Sequence, residues 1–146
     1  MSKGNTFETD LLALILKNTD APLIGDATGL RGSSTAGSLY VALHTADPGE
    51  AGDQTTNEAT YTSYARVAVV RSGSGWTVAS GAAENAAAVN FPACTGGTNT
   101  ITHFSVGTAS SGAGKILYKG ALSASLAVSS GITPAFAAGA LDITED

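Results

Sequence analysis

Along residues 38–45, Ser-Leu-Tyr-Val-Ala-Leu-His-Thr, the residues Leu39, Val41 and Leu43 alternate with Tyr40, Ala42 and His44. Period-two alternation of β-forming residues predicts a strand with one fully buried face. Ala46-Asp47-Pro48-Gly49 ends it, because proline donates no ladder hydrogen bond and Asp-Pro-Gly favours a tight turn. Residues 64–71 form a second strong strand, 72–75 a turn, and 76–78 begin a third strand or its return. Residues 86–91 read as a small-residue strand stopped by Pro92. Gly96-Gly97 turns the chain into a strand over 100–106, and 110–114 turns it again into 115–121. Stretches at 126–128, 132–136 and 141–144 complete the set. Many short strands between Gly-rich turns predict a mainly β fold, an antiparallel β-sandwich of jelly-roll type.

The period changes near the N-terminus. Residues 6–17 predict a helix that Asn5 or Thr6 can cap, with Glu8 and Asp10 at the positive end of its dipole. Phe7, Leu11, Leu14 and Ile15 fall on one apolar stripe. Asn18-Thr19-Asp20 breaks the helix, with Pro22 shortly beyond. Residues 23–37, rich in Gly, Ser and Thr, read as an arm with a short strand near Leu23-Ile24. Two parts result: an N-terminal helix and arm over 1–37, and a β-sandwich domain over 38–146. The stripe either caps the open end of its own sandwich or docks on a neighbour. In the second case Phe7, Leu11, Leu14, Ile15, Leu23 and Ile24 are partner contacts, through the helix or by strand addition. Between the first two strands, 46–60 is a long polar loop bearing Asp47, Glu50, Asp53 and Glu58, of a length that is often functional.

Composition sharpens this picture. Of 146 residues 43% are apolar, 18 are Gly and only 13% are charged, against about 25% charged in an average domain. Few charges and many small residues fit a sheet-rich body whose faces press on neighbouring protein. The net charge is −5, and the seven Lys and Arg are scattered. A nucleic-acid groove needs them clustered, so no direct nucleic-acid partner is expected. The leading apolar run, 11–16, is too short to span a bilayer, and Glu8 and Asp10 sit where a signal peptide carries positive charge. Neither export by that route nor a membrane partner is expected.

The candidate chemistry is thin. Cys94 is the single cysteine, so no intrachain disulfide forms. His44, His103 and Cys94 lack the close pairing that nucleates a metal site. Asp47, Glu50 and Asp53 are spaced three apart, unlike a calcium loop. Ser-Ser-Gly-Ala-Gly-Lys at 110–115 fails as a phosphate loop, since Ala109 stands where Gly is required and Ile116 where Ser or Thr is required. The nucleophile elbow Gly-x-Ser-x-Gly is absent. No catalytic residue, cofactor or metal ligand is assigned, and no enzyme is expected.

The order of segments carries a resemblance. The apolar helix leads to Leu-Tyr-Val-Ala-Leu-His-Thr-Ala-Asp-Pro-Gly at 39–49, and the acidic loop ends in Asn-Glu-Ala-Thr-Tyr-Thr-Ser-Tyr-Ala-Arg-Val-Ala-Val at 57–69. Asn90-Phe91-Pro92, Ile101-Thr102-His103-Phe104, 117–122 and Leu141-Asp142-Ile143-Thr144 follow. Nearly the whole chain resembles a family of small tailed-bacteriophage virion proteins, often labelled tail-fibre proteins, whose relatives include capsid decoration (cement) proteins. The resemblance implies a β-sandwich that assembles on the virion without catalysis. A fibre is expected to be long or repetitive, and this chain is short and unrepeated. That favours a decoration protein on the outside of the phage head, made in the host cytoplasm. Its expected partners are the major capsid protein and itself, as a homo-oligomer, in particular a trimer. The alternatives are a tail fibre or baseplate component and, from another class, a small carbohydrate-binding β-domain. Sugar sites need exposed aromatics, and the nine here (four Tyr, four Phe, one Trp) are spread along the chain.

Overall fold

The computed structural model describes residues 2–26 and 28–145. Its fold is mainly β, antiparallel and sandwich-like in class, with one helix among the described residues. The helix, α1, spans Asn5–Lys17. The strands are β1 (Ser38–His44), β2 (Val67–Val70), β3 (Trp76–Ala79), β4 (Ala82–Asn85), β5 (Val89–Asn90), β6 (Asn99–Gly107), β7 (Ile116–Val128), β8 (Ala135–Phe136) and β9 (Asp142–Thr144). The chain divides into two compact units.

One unit comprises Leu39–Ala68 and Asn90–Ala135. Its strands belong to a sheet of order β2-β1-β6-β7. β1 runs antiparallel to β6, from Tyr40 opposite Gly107 to His44 opposite His103. The alternation predicts one buried face for β1, but Val41, Ala42, Leu43 and His44 are all buried. A small alanine and a hydrogen-bonded histidine make the second face fit for burial. β7 lies at the sheet edge and pairs with β6 through two irregularities. Residues 115–121 and 126–128, expected as separate strands, are one: Ile101 faces Leu126 and His103 faces Ala121, so Thr102 alone stands opposite four residues, 122–125. The wide bulge absorbs the small, weakly β-forming Ala and Ser residues that look like a break.

The loop 46–60 has no regular strand yet is closely organised. Asp47 Oδ1 accepts the Gly49 amide and Asp53 Oδ1 the Thr55 amide, each at 2.8 Å. Returning along β1, the loop takes the Thr45 amide on the Asn57 carbonyl and gives the Ala59 amide to Leu43, both at 2.8 Å.

The other unit comprises Met1–Ser38, Val69–Val89 and Phe136–Asp146. Here β3, β4 and β9 form a three-stranded antiparallel sheet in that order. Ser80 (φ 52°) and Gly81 (φ 75°) join β3 to β4, two left-handed residues as a tight hairpin requires. α1 packs on β3 and β4. Its N-cap is Gly4, with no capping side chain, rather than the expected Asn5 or Thr6. At the other end Asn18 takes φ 57° and the Thr19 amide returns to the Ala13 carbonyl at 3.1 Å, a left-handed stop. Leu12, Leu16, Trp76 and Leu141 are fully buried in this unit, with Ala83 and Ile143 beside them in the core set. The expected strands 86–91 and 132–136 shrink to β5 and β8, which pair with each other.

Candidate functional site

The helix presents two apolar faces. At about 100° per residue, Phe7, Leu11 and Leu14 cluster within about 60° of one another, while Leu12 and Leu16 lie on the far side. The buried face is that of Leu12 and Leu16. Of the residues expected to touch a partner, Phe7 is exposed, whereas Leu11, Leu14, Ile15 and Ile24 are half-buried and Leu23 is 82% exposed. The expected strand near Leu23-Ile24 is instead a turn, flanked by an isolated bridge between Ala21 and Leu30.

The segment 18–33 is stapled at its base. Ala21 and Leu30 exchange both backbone hydrogen bonds at 2.8 Å. The Asn18 side chain bonds both backbone groups of Ser33, at 2.7 and 2.8 Å, and Asp20 Oδ1 accepts the Gly32 amide at 2.8 Å. At the tip, Asp26 Oδ1 accepts the Thr28 hydroxyl and the Thr28 amide, which in that order hold its carboxyl below the usual range. Arg71 ties the helix to the arm. Its guanidinium donates to the Ile15 carbonyl at 2.6 Å, Leu14 at 2.7 Å and Ala36 at 3.1 Å. A cation there suits the negative end of the helix dipole.

In the other unit the acidic loop is held by an ionic clamp. Arg66, 8% exposed, engages Glu58 with Nε to Oε1 at 2.6 Å and a terminal nitrogen to Oε2 at 2.8 Å. Its remaining donors reach the carbonyls of Ala109 at 3.0 Å and Gly112 at 2.8 Å, and Gln54 Oε1 at 3.4 Å. The loop 46–60 and the turn before β7 are thus fastened to one guanidinium. Tyr64 donates to Glu58 Oε1 and accepts the Leu43 amide, both at 3.0 Å. Burial, first of all, drives the Tyr64 phenol well above its ordinary pKa, and the pairing with Glu58 raises that of Arg66. Gln54, fully buried, donates to the Tyr40 carbonyl at 3.0 Å and accepts the Ala109 amide at 3.1 Å. At the surface, Lys119 bridges Asp47 at 3.1 Å and Glu50 at 3.2 Å.

The groups that could do chemistry are engaged elsewhere. His44 Nδ1 lies 2.8 Å from the Thr56 carbonyl, which fixes the proton on that nitrogen, and Nε2 accepts from Ser105 Oγ at 2.8 Å. Burial pushes its pKa down despite the Thr56 carbonyl and Glu58. Cys94 is buried, with its thiol 3.2 Å from the Gly96 carbonyl. Among the described residues no three His, Cys, Asp or Glu gather as metal ligands, and no helix is long and apolar enough to cross a membrane. Phe7 is the one aromatic side chain more than a third exposed among them. Sequence reading missed Arg66, Arg71 and Gln54. The available signal was that 64–71, Tyr-Ala-Arg-Val-Ala-Val-Val-Arg, brackets a short apolar run with arginines in a chain that has few.

Curated proteins give no match to the chain. The model of the family described as podophage GP4 fiber I protein gp80 matches residues 5–144. The chain therefore belongs to the podophage GP4 fiber I protein gp80 family and is a phage virion structural protein.

Proposed function

We propose that this chain is a non-catalytic building block of a phage fibre, held in the particle by contact with copies of itself and with neighbouring virion proteins. The observation that carries the reading is the edge strand β7. From Gly120 to Ala140 the sequence has no Asp, Glu, Lys or Arg, yet Ala121, Ser123, Ala124, Ser125 and Ala127 are exposed. Monomeric proteins guard edge strands with charge, proline or cover. Between residues 120 and 127 only the bulge interrupts this edge. An unguarded edge suits a subunit whose partners cover it.

The family's description as a fiber protein supports the fibre over the head. A second reading, decoration of the head across major capsid subunits, draws on one observation: the sequence carries no internal repeat of the kind that builds a shaft. A protein that binds only the assembled shell stabilises it by linkage. Quantitative mass spectrometry and imaging of purified particles separate the two. A handful of copies at the tail is the expected result. Hundreds of copies on the shell would establish decoration, and absence from particles would end both readings.

A further inference from the structure

We infer that Leu23 and Arg31 of one copy dock on the outer face of the β3-β4-β9 sheet of a second copy. The inference rests on the structural reading above and names the partner within it. Leu23 combines two unusual properties: it is 82% exposed, and it holds φ at 63°, where a bulky side chain is rarely found. It projects from the stapled segment 18–33, and Leu30, 45% exposed, adds apolar surface at the base of that segment. Next along the chain, Arg31 is exposed and has no hydrogen-bond or ionic partner among the described residues. The acids of the same segment are exposed but engaged within it, Asp20 by the Gly32 amide and Asp26 by Thr28.

The complementary surface is on the same unit. Ala79 faces Ala82, and Ala82 faces Thr144, in one cross-strand row; Thr77, Glu84 and Asp142 form the next. Thr77, Ala79, Ala82, Ala83, Glu84 and Asp142 line an open cleft of about 200 Å³. Benzene fits a cavity of about 150 Å³, so a leucine side chain is accommodated. Glu84 and Asp142 stand directly opposite each other on adjacent strands, an arrangement that destabilises a sheet unless a cation meets it. Neither carboxylate has a hydrogen-bond or ionic partner among the described residues. A guanidinium suits such a pair of carboxylates. Roughly 10 Å of chain separates Leu23 from Arg31 across the bridge, and about 7 Å separates the alanine row from the carboxylate row. The long arginine side chain spans the difference. Since Leu23 is exposed on its own copy, the cleft it fills belongs to another. Knob and cleft are different patches, so the contact is heterologous and passes from copy to copy.

Sedimentation velocity of the purified full-length chain over a concentration series tests this. The wild type is expected to associate reversibly beyond a dimer. Leu23→Ser and Arg31→Glu should each weaken association at least tenfold while leaving the circular dichroism spectrum unchanged. Arg31→Glu combined with Glu84→Arg and Asp142→Arg should restore it. A wild type that stays monomeric, single variants that associate as well as wild type, or a charge swap that rescues nothing would overturn the contact. Particle copy number is measured separately, so failure here leaves the virion reading standing, and association by a protein absent from particles sinks that reading alone.

Discussion

Arg66 meets Glu58 side-on, Nε to Oε1 at 2.6 Å, with the two side chains only 2% and 18% exposed. Removing the guanidinium strands a largely buried carboxylate and takes the donors from the Ala109 and Gly112 carbonyls. Arg66→Ala is therefore expected to cost about 3–5 kcal/mol, the range for breaking a buried pair from one side. Arg66→Lys keeps the charge but not the planar fork, and should recover less than half of that. Urea titration at unchanged m-value reads both. An Arg66→Ala midpoint equal to wild type would show that the clamp contributes nothing.

The neutral His44 ring, held between Thr56 and Ser105, gives the fold a pH dependence of definite sign. Burial lowers its folded-state pKa below the unfolded value of about 6.5. In the interval beneath that value the unfolded chain binds a proton that the folded chain refuses. Stability is thus fully present above about pH 6.5 and declines as the pH falls through the interval. Asp47 and Asp53, whose pKa values are lowered by backbone and side-chain hydrogen bonds, lose their contributions only below about pH 4. His44→Asn should flatten the slope between pH 6.5 and 5 without changing the acid limb. A variant with the same slope as wild type in that window would assign the titration to another group.

Asn85 fastens the C-terminal segment in its unit. Its Nδ2 donates to the Ala87 and Ala137 carbonyls and its Oδ1 accepts the buried Leu141 amide, all at 2.8 Å. Asn85→Ala leaves that amide without a partner, at about 1–3 kcal/mol. Trp76, the one tryptophan, is fully buried in the same unit and reports on it. The wild type should show blue-shifted emission whose unfolding midpoint falls in the variant. An unshifted midpoint would mean that water or a backbone rearrangement replaces the amide's partner.

Legibility in the sequence followed the spacing of side chains. Residues 38–44 alternate strongly and 99–107 hold Thr, Ile, Phe and Val after the Gly96-Gly97 turn; they became β1 and β6, while α1 begins and ends within a residue of its expected limits. β4 was invisible because Ala82-Ala83-Glu84-Asn85 carries no β-branched residue, and its hairpin turns on Ser80-Gly81 rather than Asn-Gly. The buried side of α1 was not legible, for a related reason. With apolar residues at 11–16 in an unbroken run, a stripe through Phe7 and Leu11 fits the period as well as one through Leu12 and Leu16. Only the packing against β3 and β4 selects between them. Leu23 and Ile24 were legible as apolar residues in a polar arm, but the left-handed backbone at Leu23 and the Ala21–Leu30 bridge beside it belong to a turn that no local pattern encodes.

Arg71 makes the last prediction, because it holds the C-terminal turn of α1 through backbone carbonyls alone. The Leu14 and Ile15 carbonyls belong to the last four of the helix, which have no intrahelical donor. Arg71→Gln retains a single amide in place of a forked cation and loses the favourable charge at the helix terminus. Hydrogen bonds to charged groups contribute about 1.5–3 kcal/mol each, and the terminal charge about 0.3–1 kcal/mol. Partial replacement by water at this half-exposed site brings the expected loss to about 2 kcal/mol. The effect should be local first: amide hydrogen exchange at residues 16–19 is expected to speed by tenfold or more, while β6 and β7 keep their wild-type protection. Equal acceleration across both sets would mean that Arg71 supports global stability rather than the helix end. Unchanged exchange at residues 16–19 would mean that the left-handed stop at Asn18 suffices by itself.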